Sequence, residues 1–450
     1  MFKSINPYND EVLNQLEEDS AGDLNQKISL ADRTFKQWKS VEMDDRSELL
    51  LTLSSQLRDR VKDLAKLATL EMGKPIKQAE SEVEKCAWLC EHYAENGAKY
   101  LADHKVKSDG SQSWVSYEPL GVILGVMPWN FPYWQAFRFA VPTILAGNTA
   151  LVKHASNVQG CAGEIQQLFE SSGFPKGAYQ NLRISSKKVA GVIEHDAIKA
   201  TSLTGSEKAG SAVAQKSGAE IKKSLLELGG SNAFIVLADA DLEKTADLCV
   251  NARMQNNGQS CIAAKRIILE EPIAEKFTRM LVQRIENLKV GDPLDENIDV
   301  GPVAREDLAA DLEKQMKESI KKGASLEIGG ERNKAHFSPA LLKDVEPGMP
   351  AFEEETFGPL LSVIVAKSAG HAIELCNLSK FGLGATICSA DTDRAIKLAR
   401  DVEDGAVFIN ELVKSDPRLP FGGTKISGYG RELGEYGIRE FVNIKTYYVK

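Results

Sequence analysis

The sequence has no apolar run approaching the ~18 residues that a membrane span requires. Its opening residues, MFKSINPYNDEV, lack the apolar stretch of a secretory signal. Its 7 cysteines, at positions 86, 90, 161, 249, 261, 376 and 388, are odd in number and show no disulfide framework. Together these absences predict a cytoplasmic protein with reduced thiols and no membrane partner. There is no block of Lys and Arg, and the formal net charge is −9, which argues against a nucleic-acid partner. The 6 histidines show no ligand spacing. Cys86 and Cys90 lie near His92 but one helical turn apart, as core residues do, so no metal is expected. Internal repeats and low-complexity tracts are also absent.

What is present is ordinary for a globular enzyme-sized chain. Apolar residues make up 43% and charged residues 26% of 450. That length suggests two or three domains and a core that needs no disulfide or metal. Residues 10–105 read as helical, with Leu49, Leu50, Leu53 and Leu57, then Val61, Leu64, Leu67 and Ala68, at helical spacing. After Trp114 short apolar runs alternate with helical stretches. Strands are expected at 122–126, 149–152, 180–184, 198–203 and 225–228, with helices at 132–146, 157–171, 186–194 and 206–216. This alternation predicts an α/β fold with a parallel, doubly wound sheet, and ligands beyond the carboxyl ends of its strands. A second alternating stretch begins at Asn232, with strands at 233–237 and 266–269 and helices at 242–255 and 273–288. Residues 442–449 read as a terminal strand in need of a partner.

Several polar residues fall where these strands end. Gly205-Ser206 opens a helix after the strand 198–203, which suits a phosphate or, more plainly, a helix cap. Cys261 lies in the polar turn Asn256-Asn257-Gly258-Gln259-Ser260, where an accessible thiolate nucleophile is plausible chemistry and a chance loop thiol the plain alternative. Glu227 ends an apolar strand before Gly229-Gly230. Partial desolvation there would raise its pKa towards that of a general base, unless it simply points to solvent. Asn130, between Pro128 and Pro132, could donate to an oxyanion or merely shape a turn. Lys153 closes its strand and could hold a cofactor hydroxyl or phosphate.

Pro-Trp-Asn-Phe-Pro at 128–132, Lys153, Leu-Thr-Gly-Ser at 203–206, Glu-Leu-Gly-Gly at 227–230, Gly-Gln-Ser-Cys at 258–261 and Glu-Thr-Phe-Gly-Pro at 355–359 occur in an order that resembles the aldehyde dehydrogenase superfamily. Phe-Gly-Gly at 421–423 and Ser-Gly-Tyr-Gly-Arg-Glu at 427–432 extend the resemblance over essentially the whole chain. It implies two doubly wound, Rossmann-like domains and a small β element for oligomerisation. The implied divisions are residues 1–108 and 122–228 for NAD(P) binding, 229–433 for catalysis, and 109–121 with 434–450 for assembly into a homodimer or homotetramer. It also implies roles. Cys261 attacks an aldehyde, Asn130 and the Cys261 N–H steady the oxyanion, and Glu227 activates water on the thioester, while members that transfer the acyl group to coenzyme A lack that glutamate. Lys153 counts among both the catalytic and the cofactor contacts. Pro128, Trp129, Ser156, Gly205, Ser206, Leu228, Glu355 and Phe357 would line the rest of the cofactor site.

Ser156 stands where NAD-preferring members often carry a carboxylate, so NADP is expected to be accepted, with NAD also possible. The sequence is most similar to the succinate-semialdehyde dehydrogenase group. Arg138 matches its carboxylate-binding arginine, but a second arginine of many such enzymes is Gln255 here, and Ser415 and Arg418 could compensate. Residues 263 and 264 are alanine, so no disulfide switch on Cys261 is expected. The competing functions are a broader short-chain or glutarate-semialdehyde dehydrogenase, a cofactor-free thioesterase or amidase using Cys261 and Glu227, and a non-catalytic scaffold.

Overall fold

The strand Val122–Val126 is apolar along its length, and Val122, Ile123 and Leu124 are wholly buried. A strand hidden on both faces needs helices on both sides, which is the condition of a doubly wound sheet. The computed structural model, which describes residues 1–450, contains such a sheet. Tyr179–Asn181, Thr149–Lys153, Val122–Val126, Ile198–Thr204 and Lys223–Glu227 lie parallel in that spatial order. Gly428–Tyr429 closes one edge, antiparallel to Lys223–Glu227. The winding reverses between Val122–Val126 and Ile198–Thr204, so a crevice opens beyond the carboxyl ends of that pair.

A second sheet follows Glu227 after only four residues. Its spatial order is Ser325–Ile328, Ala340–Lys343, Leu360–Ala366, Ala264–Glu270, Asn232–Val236, Ala385–Cys388 and Val407–Ile409, with only the first strand antiparallel. Separate apolar clusters cover its two faces. The fold is therefore the expected pair of doubly wound units.

The amino-terminal helices are Ala21–Trp38, Met43–Asp59, Val61–Met72 and Ile76–Tyr100. Leu50, Leu53, Leu57, Leu64 and Ala68 point into the core, as their spacing requires. The helical reading extended back to residue 10 is corrected, because Phe2–Ile5 and Val12–Leu16 form an antiparallel hairpin. These strands are short and mostly exposed, so they carry too little apolar alternation to be recognised. The first helix starts behind Ser20, which forms a reciprocal capping box with Asp23.

The terminal strand Val442–Val449 pairs antiparallel with Gln112–Pro119 along its whole length, and Trp114 stacks on Tyr447 at 4.7 Å. Its outer edge is open, and Ile444 and Tyr448 are exposed. Before reaching that strand the chain returns to the first unit. Phe421, Leu433, Ile438 and Phe441 belong to the same core cluster as the helices Ile76–Tyr100 and Trp134–Leu145. The expected ranges 229–433 and 434–450 thus both contain residues that pack on the first unit.

Asn148 ties this returning segment down. Its Oδ1 accepts from the Gly121 N–H at 2.9 Å and its Nδ2 donates to the Phe441 carbonyl at 2.9 Å, all without solvent exposure of the side chain. Asn148→Ala leaves both backbone groups unpaired and is expected to cost about 2–4 kcal/mol. A lowered urea midpoint checks this, and an unchanged midpoint refutes it.

Candidate active site

Cys261 is placed by a strained turn. Helix Leu242–Met254 ends at Asn256, Asn257 and Gly258, which have φ of 57°, 56° and 71°. Three successive left-handed residues are unfavourable, and Asn and Gly tolerate the conformation best. Side-chain bonds hold the turn. Asn257 donates to the Gly73 and Pro302 carbonyls at 2.8 and 2.9 Å and accepts from the Gly301 N–H at 2.8 Å. Gln259 accepts from the Ala304 N–H at 2.8 Å, and Asn256 donates to the Asn130 carbonyl at 2.8 Å. The buried Arg253 donates to the carbonyls of Leu360 and Thr356, both at 2.8 Å, to that of Gly358, and to that of Gly258 at 3.4 Å. A Cβ on Gly258 would lie 2.2 Å from the Gly358 carbonyl oxygen, so the close approach of the two loops needs glycine.

The half-buried Cys261 follows this turn, before the amino end of strand Ala264–Glu270. The buried Asn130 directs Nδ2 to the Gln259 carbonyl at 3.1 Å, which uses one of its two N–H groups. The Cys261 backbone N–H has no protein acceptor. One amide N–H and one backbone N–H therefore remain for an oxyanion beside the sulfur. Lys265, fully buried, donates to the Ser260 and Cys261 carbonyls at 2.7 and 2.8 Å and pairs with Glu355 at 3.3 Å. Burial pushes Lys265 down to about 8. Burial also pushes the Cys261 thiol up to about 11, against the opposing pull of Lys265 and Arg138.

Glu227 ends the strand Lys223–Glu227 and is 2% exposed. Neither carboxylate oxygen has a hydrogen-bond partner. Burial raises its pKa well above the usual carboxylate range, Arg138 opposes this, and Glu432 adds to it. Gly422 makes room for it, because a Cβ there would lie 2.8 Å from Glu227 Oε1.

Two cavities meet at Cys261. The first, of about 230 Å³, is lined by Pro128, Trp129, Asn130, Gly205, Ser206, Glu227, Leu228, Cys261, Glu355 and Phe357, all expected site residues. It lies in the crevice between Val122–Val126 and Ile198–Thr204. Its character fits a nicotinamide dinucleotide. Thr204 Oγ1 is buried without a partner, and Ser206 caps the 13-residue helix Glu207–Ala219 at the cavity wall. Glu355 accepts from the Gly230 N–H at 3.0 Å, and a Cβ on Gly229 would meet its other oxygen at 2.5 Å. Trp129 and Phe357 meet edge to face at 5.7 Å. Lys153 and Ser156 do not line this cavity. Lys153 sits one strand over on the same sheet edge, half-buried and with its pKa lowered by burial, while Ser156 is exposed beyond it.

The second cavity, of about 250 Å³, contains Phe131, Trp134 and Phe421 with Arg138, Gln255 and Ser415. Arg138 is 2% exposed, pairs with Glu432 and lies 4.6 Å from the Phe421 ring centre. Arg418 does not reach the cavity. Its guanidinium makes two bonds to Asp416, at 2.8 and 2.6 Å, and stacks over Trp88. Two residues later along the chain than Asp416, it satisfies its charge locally.

Sequence reasoning missed Lys265, Gln135 and a polar stripe on helix Ile76–Tyr100. Gln135 lines both cavities, with a buried Oε1 that has no partner. Gln78, Ser81, Glu82 and Lys85 face the second cavity at i, i+3, i+4 and i+7, a helical periodicity legible in the sequence but beside the core-facing side that carries Cys86 and Cys90.

The model of the Aldehyde dehydrogenase family matches residues 1–447. The chain belongs to the aldehyde dehydrogenase family. It is 46% identical over 449 residues to a Synechocystis protein named a probable succinate-semialdehyde dehydrogenase (NADP+), covering 99% of each. It is 46% identical to the succinate semialdehyde dehydrogenase (NAD(P)+) of Escherichia coli, covering 98% of this chain and 96% of that one. The succinic semialdehyde dehydrogenase of Streptococcus pyogenes, solved with NADP+, superposes with a TM-score of 0.98 at 34% identity over 100% of both chains.

Cys261 is the only cysteine of the seven that is not buried. In the cofactor-free protein its alkylation by iodoacetamide is expected to keep rising from pH 7 to pH 10, because the thiolate fraction is still small below about 11. Mass spectrometry of the labelled peptide reads this. A plateau by pH 8 would show a thiolate already formed.

Proposed function

We propose that the chain oxidises succinate semialdehyde, or a similar short aldehyde acid, to the carboxylic acid with NADP or NAD. The observation that carries the acid-forming outcome is Glu227, a buried carboxylate with two unpartnered oxygens in the same cavity as Cys261. Pro128, Trp129, Gly205, Ser206, Leu228, Glu355 and Phe357 would hold the dinucleotide, with Lys153 and Ser156 towards its ribose. When bound, the nicotinamide supplies the hydride acceptor.

Cys261 Sγ gives its proton to solvent water and bonds to the aldehyde carbon, and the carbonyl π electrons move to oxygen. Asn130 Nδ2 and the Cys261 N–H stabilise that oxyanion. Loss of hydride leaves a thioester on Cys261. Glu227 then takes a proton from water, whose oxygen attacks the thioester carbon, and the carbon–sulfur bond breaks to release acid and thiol. Glu227 must be ionised to do this. Because its pKa is raised, deacylation is lost as pH falls through that raised value and recovered as pH rises.

Cytoplasmic residence is supported by seven unpaired cysteines. A homodimer or homotetramer is supported by the open strand edge at Val442–Val449 with its exposed Ile444 and Tyr448.

Glu227→Gln is expected to give a burst of about one reduced cofactor per subunit, followed by turnover slowed about 10²–10⁴-fold. Stopped-flow absorbance at 340 nm with succinate semialdehyde checks this, and loss of the burst itself would deny Glu227 the deacylation role. Ser156→Glu places a charge near the expected 2′-phosphate, and the NADP-to-NAD ratio of kcat/KM should fall by about tenfold or more. An unchanged ratio would remove Ser156 from the cofactor site.

A further inference from the structure

Both arginines expected to read a substrate carboxylate already face carboxylates of the protein. Arg138 pairs with Glu432, and Arg418 is held twice by Asp416. Gln255 brings no charge to the same cavity. Lys85 does, from the helix Ile76–Tyr100.

Lys85 Nζ donates to Ser415 Oγ at 3.0 Å and lies 4.3 Å from the Trp134 ring centre. Trp134 Nε1 donates to the same Ser415 oxygen, also at 3.0 Å. A serine hydroxyl has two acceptor lone pairs and one proton. Both lone pairs are occupied here, so the proton is directed outward as a donor. The ammonium has three N–H groups and uses one on Ser415. Its other neighbour on this face, Glu82, is turned away. Glu82 is bonded to Lys74 and accepts from the N–H groups of Tyr133 and Trp134 at 2.9 Å each. The cavity therefore holds an ammonium and a hydroxyl side by side, both with protons to give and neither with a carboxylate to receive them. Phe131, Trp134 and Phe421 line the same cavity as this pair, and so does Cys261.

We propose that Lys85, with the Ser415 hydroxyl as second donor, binds the carboxylate of the substrate and sets the preference for an aldehyde acid over a neutral aldehyde of the same length. This assignment rests on the reading of the chain as an aldehyde-acid dehydrogenase. The electrostatics agree with it. Burial, and then repulsion from Arg138, bring Lys85 down to about 8 against the weaker pull of Asp416 and Glu82, neither of which is within ion-pair distance of it. An ammonium held in so poorly solvating a place gains by meeting an anion.

The test compares succinate semialdehyde with butanal at saturating NADP in the wild-type enzyme and in Lys85→Met and Lys85→Arg. The ratio of kcat/KM for the acid over the neutral aldehyde should fall about 10- to 100-fold in Lys85→Met, through KM for the acid, as loss of one charged hydrogen bond requires. Lys85→Arg should restore most of the ratio, which a merely structural role would not produce. Lys85→Gln serves in place of Lys85→Met should the latter not fold. A ratio within twofold of wild type in the uncharged variant overturns the role of Lys85. A wild-type enzyme with no preference for the acid over butanal overturns the functional reading beneath it.

Discussion

The left-handed turn at Asn256–Gly258 is the constraint on which the site depends. Three residues in an unfavourable backbone conformation persist only where their surroundings over-determine them, and here almost every polar group in reach is enlisted. Asn257 and Gln259 fasten the turn to Gly73, Gly301, Pro302 and Ala304, and Arg253 fastens it to the Thr356–Leu360 loop. The bonds also run to Asn130, so its amide and Cys261 are set by one network. Side chains as costly to bury as Arg253 are retained because most of the carbonyls they satisfy, those of Gly258, Thr356 and Gly358, lie in loops with no sheet to pair with.

The electrostatics divide into two groups with different tasks. Lys265 and Glu355 lie on the cofactor side of the sulfur and hold carbonyl groups and a loop N–H in position. Arg138 and Glu432 lie on the other side, where the arginine opposes the burial that raises Glu227. The Glu227 carboxylate is left without a hydrogen bond, and that poverty is what makes it a base instead of a satisfied structural carboxylate. Arg138 consequently serves the electrostatics of the base as well as the wall of the substrate cavity.

The parallel sheet was legible because strands such as Val122–Val126 are apolar on both faces and are punctuated by polar strand ends. Gly205, Ser206 and Lys153 were legible for the same reason, because they occupy strand ends and a glycine turn where local sequence and position in the fold coincide, whereas Glu355 and Phe357 came only with the family resemblance. Cys261 stood out by its polar neighbours, although it precedes a strand and so lies outside the carboxyl-end rule. The substrate cavity was less legible. Whether an arginine is free or paired depends on partners far away in sequence, as Glu432 is from Arg138, or on a local carboxylate, as Asp416 is for Arg418. Lys85 was hidden on the helix Ile76–Tyr100, where the spacing of Cys86 and Cys90 directed attention to a neighbouring, core-facing side. The amino-terminal hairpin was invisible because four- and five-residue strands leave almost no periodic signal.

The return of residues 421–441 to the first unit has a consequence for biosynthesis. Until these residues leave the ribosome, Arg138 has no Glu432, Glu227 lacks the glycine wall at Gly422, and strand Lys223–Glu227 keeps an unpaired edge where Gly428–Tyr429 will sit. A nascent chain extended only to residue 420 therefore still exposes an adhesive strand on its first unit. Assembly of the reaction centre and loss of that adhesiveness are the same event, and both await residues 421–441.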